Sequence, residues 1–354
     1  MKDVQSKVKV TFEKPPVTEF VAIETYQDFE CNTGELKMPR YWQKAAEGFK
    51  DFFAAGMKAR NVPITAYDEK ILLEDPTEEE IKDGSNLPFR EILGVMSFPS
   101  SCCKYEIKYA VSVIGSRRGG WSKKHFAVLL KAFEYGFHTR ELGLIYSKGL
   151  DPHGENTLYA YADASLKIPR PHGCRITMMN GAAISLESKK HTVTAPSSCH
   201  AEVRELYHCG VRVKGIRNLL SEMGMHQQRP TVVYQDNESA VRIANNRGSL
   251  GITSRSMSLD TLTIRNMVED HELQTKWKST GLMVGDMGTK ALAEGLFTLF
   301  RDVMNGYGLV RAAYPSKDLP DCVYKGDVTE ITTALVSLQI KITEMGGYLP
   351  LDDL

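Results

Sequence analysis

Apolar positions follow two different periods in the two halves of the chain. From Tyr41 to Met57, Trp42, Ala45, Phe49, Phe52 and Phe53 recur near helical spacing, which predicts an amphipathic helix. Helical patterns also dominate from Phe89 to Tyr146, carried by Ala127, Leu130, Phe133 and Phe137. After the turn-rich break DPHGEN (151–156) the pattern changes. LYAYADAS (158–165) alternates like a strand, and CRITMM (174–179) and AAISLES (182–188) predict two more. The Asn180-Gly181 pair between them is a hairpin signal. A long helix is expected from Ser197 to Met223, then a strand at TVVYQD and a helix at ESAVRIANN. Arg265–Glu269 reads as helical, LQTKWKS (273–279) as a strand, and Val284–Met304 as a helix with a break near Gly295. This order implies an α/β fold, a mixed β-sheet with helices packed on it. Phe20–Glu24 reads as a short strand, and the acidic run LLEDPTEEEIKDG (72–84) as an exposed linker. Residues 311–354 offer one pattern, an amphipathic helix at Val328–Ile342.

Composition narrows the class. The 354 residues suffice for two or three domains with a sizeable core. A formal net charge of zero gives no overall electrostatic argument for nucleic-acid binding, so any such binding depends on local patches. The seven cysteines are odd in number and lack CxxC spacing. That predicts reduced thiols in a cytoplasmic or nuclear compartment, not a disulfide framework or a zinc site. The start MKDVQSKVKV lacks an apolar signal core, and no apolar run is long enough to span a membrane.

Four acids fall at comparable structural points. Asp163 lies on the first strand after the break, Glu202 early in the long helix, Asp236 at the end of TVVYQD, and Asp286 at the start of the last helix. Taken singly, each has an ordinary reading: a solvated strand-end acid, a helix-surface glutamate, a helix cap, a first-turn acid favoured by the helix dipole. Taken together they pose an electrostatic problem. Two carboxylates about 4 Å apart repel by roughly 4 kcal/mol at an effective dielectric near 20. Such a set requires cations or protons. Mg²⁺, a hard ion that prefers oxygen, suits it. Two such ions can activate water and stabilise the leaving oxygen of a phosphodiester.

At these residues the sequence resembles the ribonuclease H domain of copia-type (Pseudoviridae) retrotransposon polyproteins. YADAS (161–165) is similar to the family's first-strand Asp motif, and AAISLESKKHTVTAPSSCHAE (182–202) to its "ISWSSKKQ…VALSSTEAE" stretch. YQDNESAV (234–241) resembles "CDNQSAI". Ser279-Thr280, followed after four residues by GDMGTKAL (285–292), resembles "PT…ADILTKPL". Upstream, FREILGVMSF, YEIKYAVSVI, His125 and LGLIY are similar to the connection region of the reverse transcriptase, and FVAIETY with the helix at 41–57 to its thumb. There are departures. Cys199 stands for the family Thr of "STEAE", Val203 for its Tyr, MSLD (257–260) for "KHID" and KYEI for "RPDI". A YVDD-like polymerase motif is missing from the sequence, which argues against DNA synthesis by this chain.

The resemblance implies a ribonuclease H-like mixed β-sheet with flanking helices, preceded by a mainly helical thumb/connection-like region. The expected division is 1–85 thumb-like remnant and linker, 86–150 helical connection-like region, 155–310 ribonuclease H-like domain and 311–354 an extension without assigned role. It further implies that Asp163, Glu202, Asp236 and Asp286 are metal ligands and catalytic acids, that two Mg²⁺ ions (or Mn²⁺) are the cofactors, and that the reaction is hydrolysis of the RNA strand of an RNA–DNA hybrid. Other parts of a retroelement polyprotein would be partners. The alternative is a catalytically inactive remnant that binds nucleic acid or protein. A hybrid is gripped by its phosphates and shape, with 2′-hydroxyls marking the RNA strand. Candidates for that grip are Lys189 and Lys190, joined by His191; Asn237 and Ser239 beside the Asp236 motif; and the basic stretch Arg117, Arg118, Lys123 and Lys124 around Trp121. Each has a solvated-loop or helix-capping alternative. No histidine is assigned a catalytic role.

Overall fold

A computed structural model describes residues 18–53, 56–167, 170–245, 255–314, 316–321 and 323. The expected helix at Val328–Ile342 lies outside the described residues.

The N-terminal part opens with strands β1 (Glu19–Phe20), β2 (Ile23–Asp28) and β3 (Thr33–Lys37). β4 (Leu144–Ser147) joins them after a long helical excursion to complete a four-stranded antiparallel sheet. Val21 and Ala22 make the β1–β2 turn with positive φ, so the expected single strand at Phe20–Glu24 is a hairpin.

The excursion contains α1 (Pro39–Gly48), α2 (Ala66–Leu73), α3 (Glu78–Gly84), α4 (Phe89–Ser97), α5 (Lys108–Gly115) and α6 (Lys123–His138). The acidic stretch expected to be a linker is helical at both ends. In α3 the Thr77 hydroxyl accepts from the Glu80 N–H while the Glu80 carboxylate accepts from the Thr77 N–H. This capping box satisfies two end donors, and three first-turn glutamates complement the helix dipole. The predicted helix at 41–57 ends instead at Gly48 and tightens into a 3₁₀ turn at Lys50–Phe53.

The second part is built on β5 (Tyr159–Ser165), β6 (His172–Met179), β7 (Ala182–Lys190), β8 (Thr231–Gln235) and β9 (Leu273–Trp277), in the order β7-β6-β5-β8-β9. β5 pairs antiparallel with β6 and parallel with β8; β8 and β9 are parallel. Asn180 and Gly181 both take positive φ, as the tight β6–β7 hairpin requires. Helices α7 (Ser198–Glu222), α8 (Glu238–Asn245) and α9 (Arg255–Glu269) belong to this sheet. It is a mixed sheet with flanking helices, as the sequence pattern predicts.

Alternation along β5 divides its two faces. Ala160 and Ala162 are small enough to let α7 approach through Val203, Leu206, Cys209 and Val213. Tyr159 and Tyr161 face the other way, into a core shared with Trp42, Phe89 and Phe133 from the N-terminal helices. The expected helix Val284–Met304 is a 3₁₀ segment, Val284–Gly288, then α10 (Glu294–Met304); α11 (Tyr307–Ala313) follows. The 3₁₀ segment lies flat on the sheet because two glycines permit it. A Cβ on Gly285 would be 2.8 Å from the Asp163 Cβ, and one on Gly288 would be 2.1 Å from the Cys174 sulfur.

Candidate active site

The parallel β5–β8 register brings two of the acids together. Tyr161 lies opposite Tyr234, so the next outward-stepping pair is Asp163 and Asp236. Glu202 reaches the same point from the first turns of α7, whose start is capped by the Ser197 hydroxyl accepting from the His200 N–H. Ligand oxygens of Asp163, Glu202 and Asp236 all lie within 4.8 Å of one another. Asp286 arrives on the 3₁₀ segment, electrostatically coupled to Asp163 and Asp236. Its carboxylate also pairs with Lys290 at 2.8 Å. Asp163, Glu202 and Asp236 thus meet at the C-terminal end of β5 and β8, with Asp286 near Asp163 and already provided with one cation from its own segment.

Polar neighbours that the sequence motifs did not single out hold these acids. The Thr289 hydroxyl donates to Asp163 at 2.5 Å. Gln235, fully buried, donates to Glu202 at 2.9 Å and accepts the Asn237 N–H at 3.0 Å, tying the long helix to the β8–α8 turn. Thr280 donates to Asp236 at 2.9 Å, and the Trp277 indole N–H to the Asp236 carbonyl. Gln235 lies beside the Asp236 motif, Thr280 in the Ser279-Thr280 motif and Thr289 in GDMGTKAL. Their motifs were visible, but the direction of their side chains was not.

The electrostatics follow from burial. Asp163 and Glu202 are 4% and 5% exposed. Desolvation, reinforced by the Asp163 charge, raises Glu202 to about 10. Desolvation, then repulsion from Asp286, raises Asp163 to about 7. Burial also pushes Asp286 up, against the opposing Lys290 ammonium. Protein groups alone do not neutralise the set. A cluster of hard carboxylate oxygens under such repulsion has the donor chemistry of a divalent-cation site.

The predicted nucleic-acid residues fall in three places. Lys189 and Lys190 are exposed at the end of β7. The register rows Asp163–Cys174–Ser188 and Ser165–His172–Lys190 put them about two strand spacings, ~10 Å, across the sheet from the acids. His191 is buried and bonded to Glu205 at 2.8 Å. Asn237 borders the cluster, and its side chain accepts the Ala240 N–H, capping α8; Ser239 is exposed in that helix's first turn. The 117–124 stretch is engaged internally. Arg117 binds the Leu72 carbonyl and Asp75, and the Arg118 guanidinium donates to the Gly115 carbonyl. Lys123 pairs with Asp83 and Lys124 with Glu80, while Trp121 stacks on Phe89.

The six described cysteines are free thiols. Among the described residues no helix is long and apolar enough to cross a membrane.

The chain is similar to retrotransposon Pol polyproteins of the copia type. It is 26% identical over 232 residues to the retrovirus-related Pol polyprotein from transposon TNT 1-94 of Nicotiana tabacum, covering 64% of this chain and 17% of that protein. It is 26% identical over 243 residues to the Pol polyprotein from transposon RE1 of Arabidopsis thaliana, covering 68% and 15%. The Ty1-LR3 Gag-Pol polyprotein of Saccharomyces cerevisiae is 20% identical over 237 residues, covering 66% and 13%. The chain therefore spans less than a fifth of these relatives. No protein-family profile matches it. Among solved structures, LC11-RNase H1 in complex with an RNA/DNA hybrid aligns with TM-score 0.30 and 12% identity, over 38% of this chain and 94% of that one. The foamy viral protease-reverse transcriptase in complex with dsDNA aligns with TM-score 0.33 and 15% identity, over 61% and 42%.

Proposed function

We propose that the chain is a metal-dependent endonuclease of the ribonuclease H type, which hydrolyses the RNA strand of RNA–DNA hybrids. The observation that carries this reading is the meeting of Asp163, Glu202 and Asp236, with ligand oxygens within 4.8 Å, at the β5–β8 sheet end. Asp286 completes the set of acids. The similar proteins of Nicotiana tabacum and Arabidopsis thaliana are retrotransposon Pol polyproteins, which supports the same reading.

Asp163, Glu202, Asp236 and Asp286 would hold two Mg²⁺ ions, with Mn²⁺ as a substitute. Such ions supply an activated water and stabilisation of the leaving oxygen. The protein's own contribution is positional. Thr289 and Gln235 fix the Asp163 and Glu202 carboxyls, and Thr280 fixes Asp236. Lys290 balances part of the Asp286 charge. Lys189 and Lys190 would meet phosphates of the hybrid, and Asn237 and Ser239 the RNA strand beside Asp236. Arg117, Arg118, Lys123 and Lys124 would form a second, weaker contact, since their charge is shared with nearby acids or carbonyls. In this reading residues 155–310 carry the chemistry, behind thumb-like (1–85) and connection-like (86–150) regions, and other parts of a retroelement polyprotein are candidate partners.

The test is cleavage of an end-labelled RNA–DNA hybrid in Mg²⁺ by the wild-type chain, Asp163→Asn and Asp236→Asn. Wild-type cleavage of the RNA strand, lost in both variants, supports the enzyme. Hybrid binding without cleavage at any divalent-ion concentration supports the inactive remnant instead.

A further inference from the structure

One carboxylate in the N-terminal part grips two of the segments that carry site residues. Glu69 lies on α2, outside the ribonuclease H-like sheet. Its Oε1 receives the Lys167 ammonium at 2.5 Å, and Lys167 follows β5 four residues after Asp163. Its Oε2 accepts the Ala291 N–H at 3.0 Å. Ala291 directly follows Lys290, the partner of Asp286, and lies two residues after Thr289, the donor to Asp163. Tyr109 of α5 holds the other side of Lys167 through its hydroxyl at 2.5 Å and its ring at 4.9 Å.

The platform beneath Glu69 is fixed. Thr65 and Asp68 form a capping box at the start of α2, and Asp68 pairs with Lys131 of α6 at 2.6 Å. His125 bonds the Ile71 carbonyl and Arg117 the Leu72 carbonyl at the other end of the helix. A backbone bond and an ion pair at one half-buried carboxylate can therefore set the spacing between the β5 exit and the 285–291 segment.

Resting on the ribonuclease reading, we propose that Glu69 is a positioning residue for the cation site, through which the N-terminal helices set the placement of Asp286 and Thr289 against Asp163. Outer contacts of metal ligands typically contribute 10–100-fold to metal affinity or activity. The test uses the full chain with Mn²⁺ alone as probe, by calorimetric titration, alongside steady-state cleavage of the hybrid. Glu69→Ala should weaken Mn²⁺ binding by roughly tenfold and lower kcat by a similar factor with KM for the hybrid unchanged. Glu69→Gln, which keeps an oxygen for the Ala291 N–H, should recover most of the loss. Lys167→Met removes the ion pair alone, so it should give a smaller but measurable loss, and it carries the test if Glu69→Ala does not fold. Folded variants that bind Mn²⁺ and cleave like wild type overturn the proposal, as does a lower melting temperature with unaltered Mn²⁺ affinity. A wild-type chain that neither binds Mn²⁺ nor cleaves removes the ribonuclease reading and this one with it, which separates the two failures.

Discussion

Asp163 and Glu202 are the residues at which the site's chemistry opposes the fold. Burial and neighbouring carboxylates hold both above the ordinary carboxylate values of 3.8 and 4.5, at about 7 and about 10. The folded state then binds more protons than the unfolded state throughout that window, so stability falls as pH rises through it. We expect the cation-free protein to lose melting temperature between pH 5 and pH 8. Added Mg²⁺ should raise the melting temperature more at pH 8 than at pH 5, because ions compete with protons for the same oxygens. Thermal scans with and without Mg²⁺ at both pH values check this; a cation effect independent of pH would contradict it. Gln235 belongs to the same scale. Gln235→Leu strips Glu202 of a buried donor and should weaken Mn²⁺ binding about tenfold, read by titration. The convergence of Asp163, Glu202 and Asp236 was legible in the sequence through the ordered motifs that carry them. Gln235 and Thr289 were not, since hydrogen-bond partners across the sheet leave no local period.

Among the elements, those with a strong two-residue period or a turn signal were the readable ones. β5 to β9 stand close to where alternation and Asn180-Gly181 put them. The acidic 72–84 stretch has the charge density of a linker, yet the Thr77–Glu80 capping box starts a helix within it. The helix expected over Val284–Met304 is only partly formed, because apolar spacing does not reveal a segment flattened by Gly285 and Gly288 against Asp163 and Cys174. Packing between elements sets a further expectation. A Cβ on Gly136 of α6 would approach the Trp42 ring of α1 to 2.2 Å. Both residues are buried, so Gly136→Ala should cost about 1–3 kcal/mol in urea unfolding, despite the better helix propensity of alanine. A stabilised variant would show that the α1–α6 contact has slack.

At the scale of the whole molecule, net charge said little because the charges are distributed unevenly. Arg117, Lys123 and Lys124 face acids and a carbonyl of the α2–α3 region, whereas Lys189 and Lys190 are exposed on the sheet that carries the site. Double substitution Lys189→Ala/Lys190→Ala should therefore weaken hybrid binding and reduce the slope of log affinity against log salt by about 1 per lysine. Lys123→Ala/Lys124→Ala should change that slope less. Fluorescence anisotropy across a salt series separates the two, and equal effects would contradict the assignment. The continuous core from Trp42 through Tyr161 to Phe300 was hidden from the sequence, because the period of a helix does not say which sheet covers it.

The account depends most on divalent cations binding among Asp163, Glu202, Asp236 and Asp286. Crystals of the full chain soaked in Mn²⁺ at pH 8, with anomalous differences measured near the manganese edge, test this directly. The account predicts anomalous peaks bounded by those carboxylates and absent from Asp163→Asn crystals. Full manganese occupancy elsewhere, with no peak among the four acids, would contradict it.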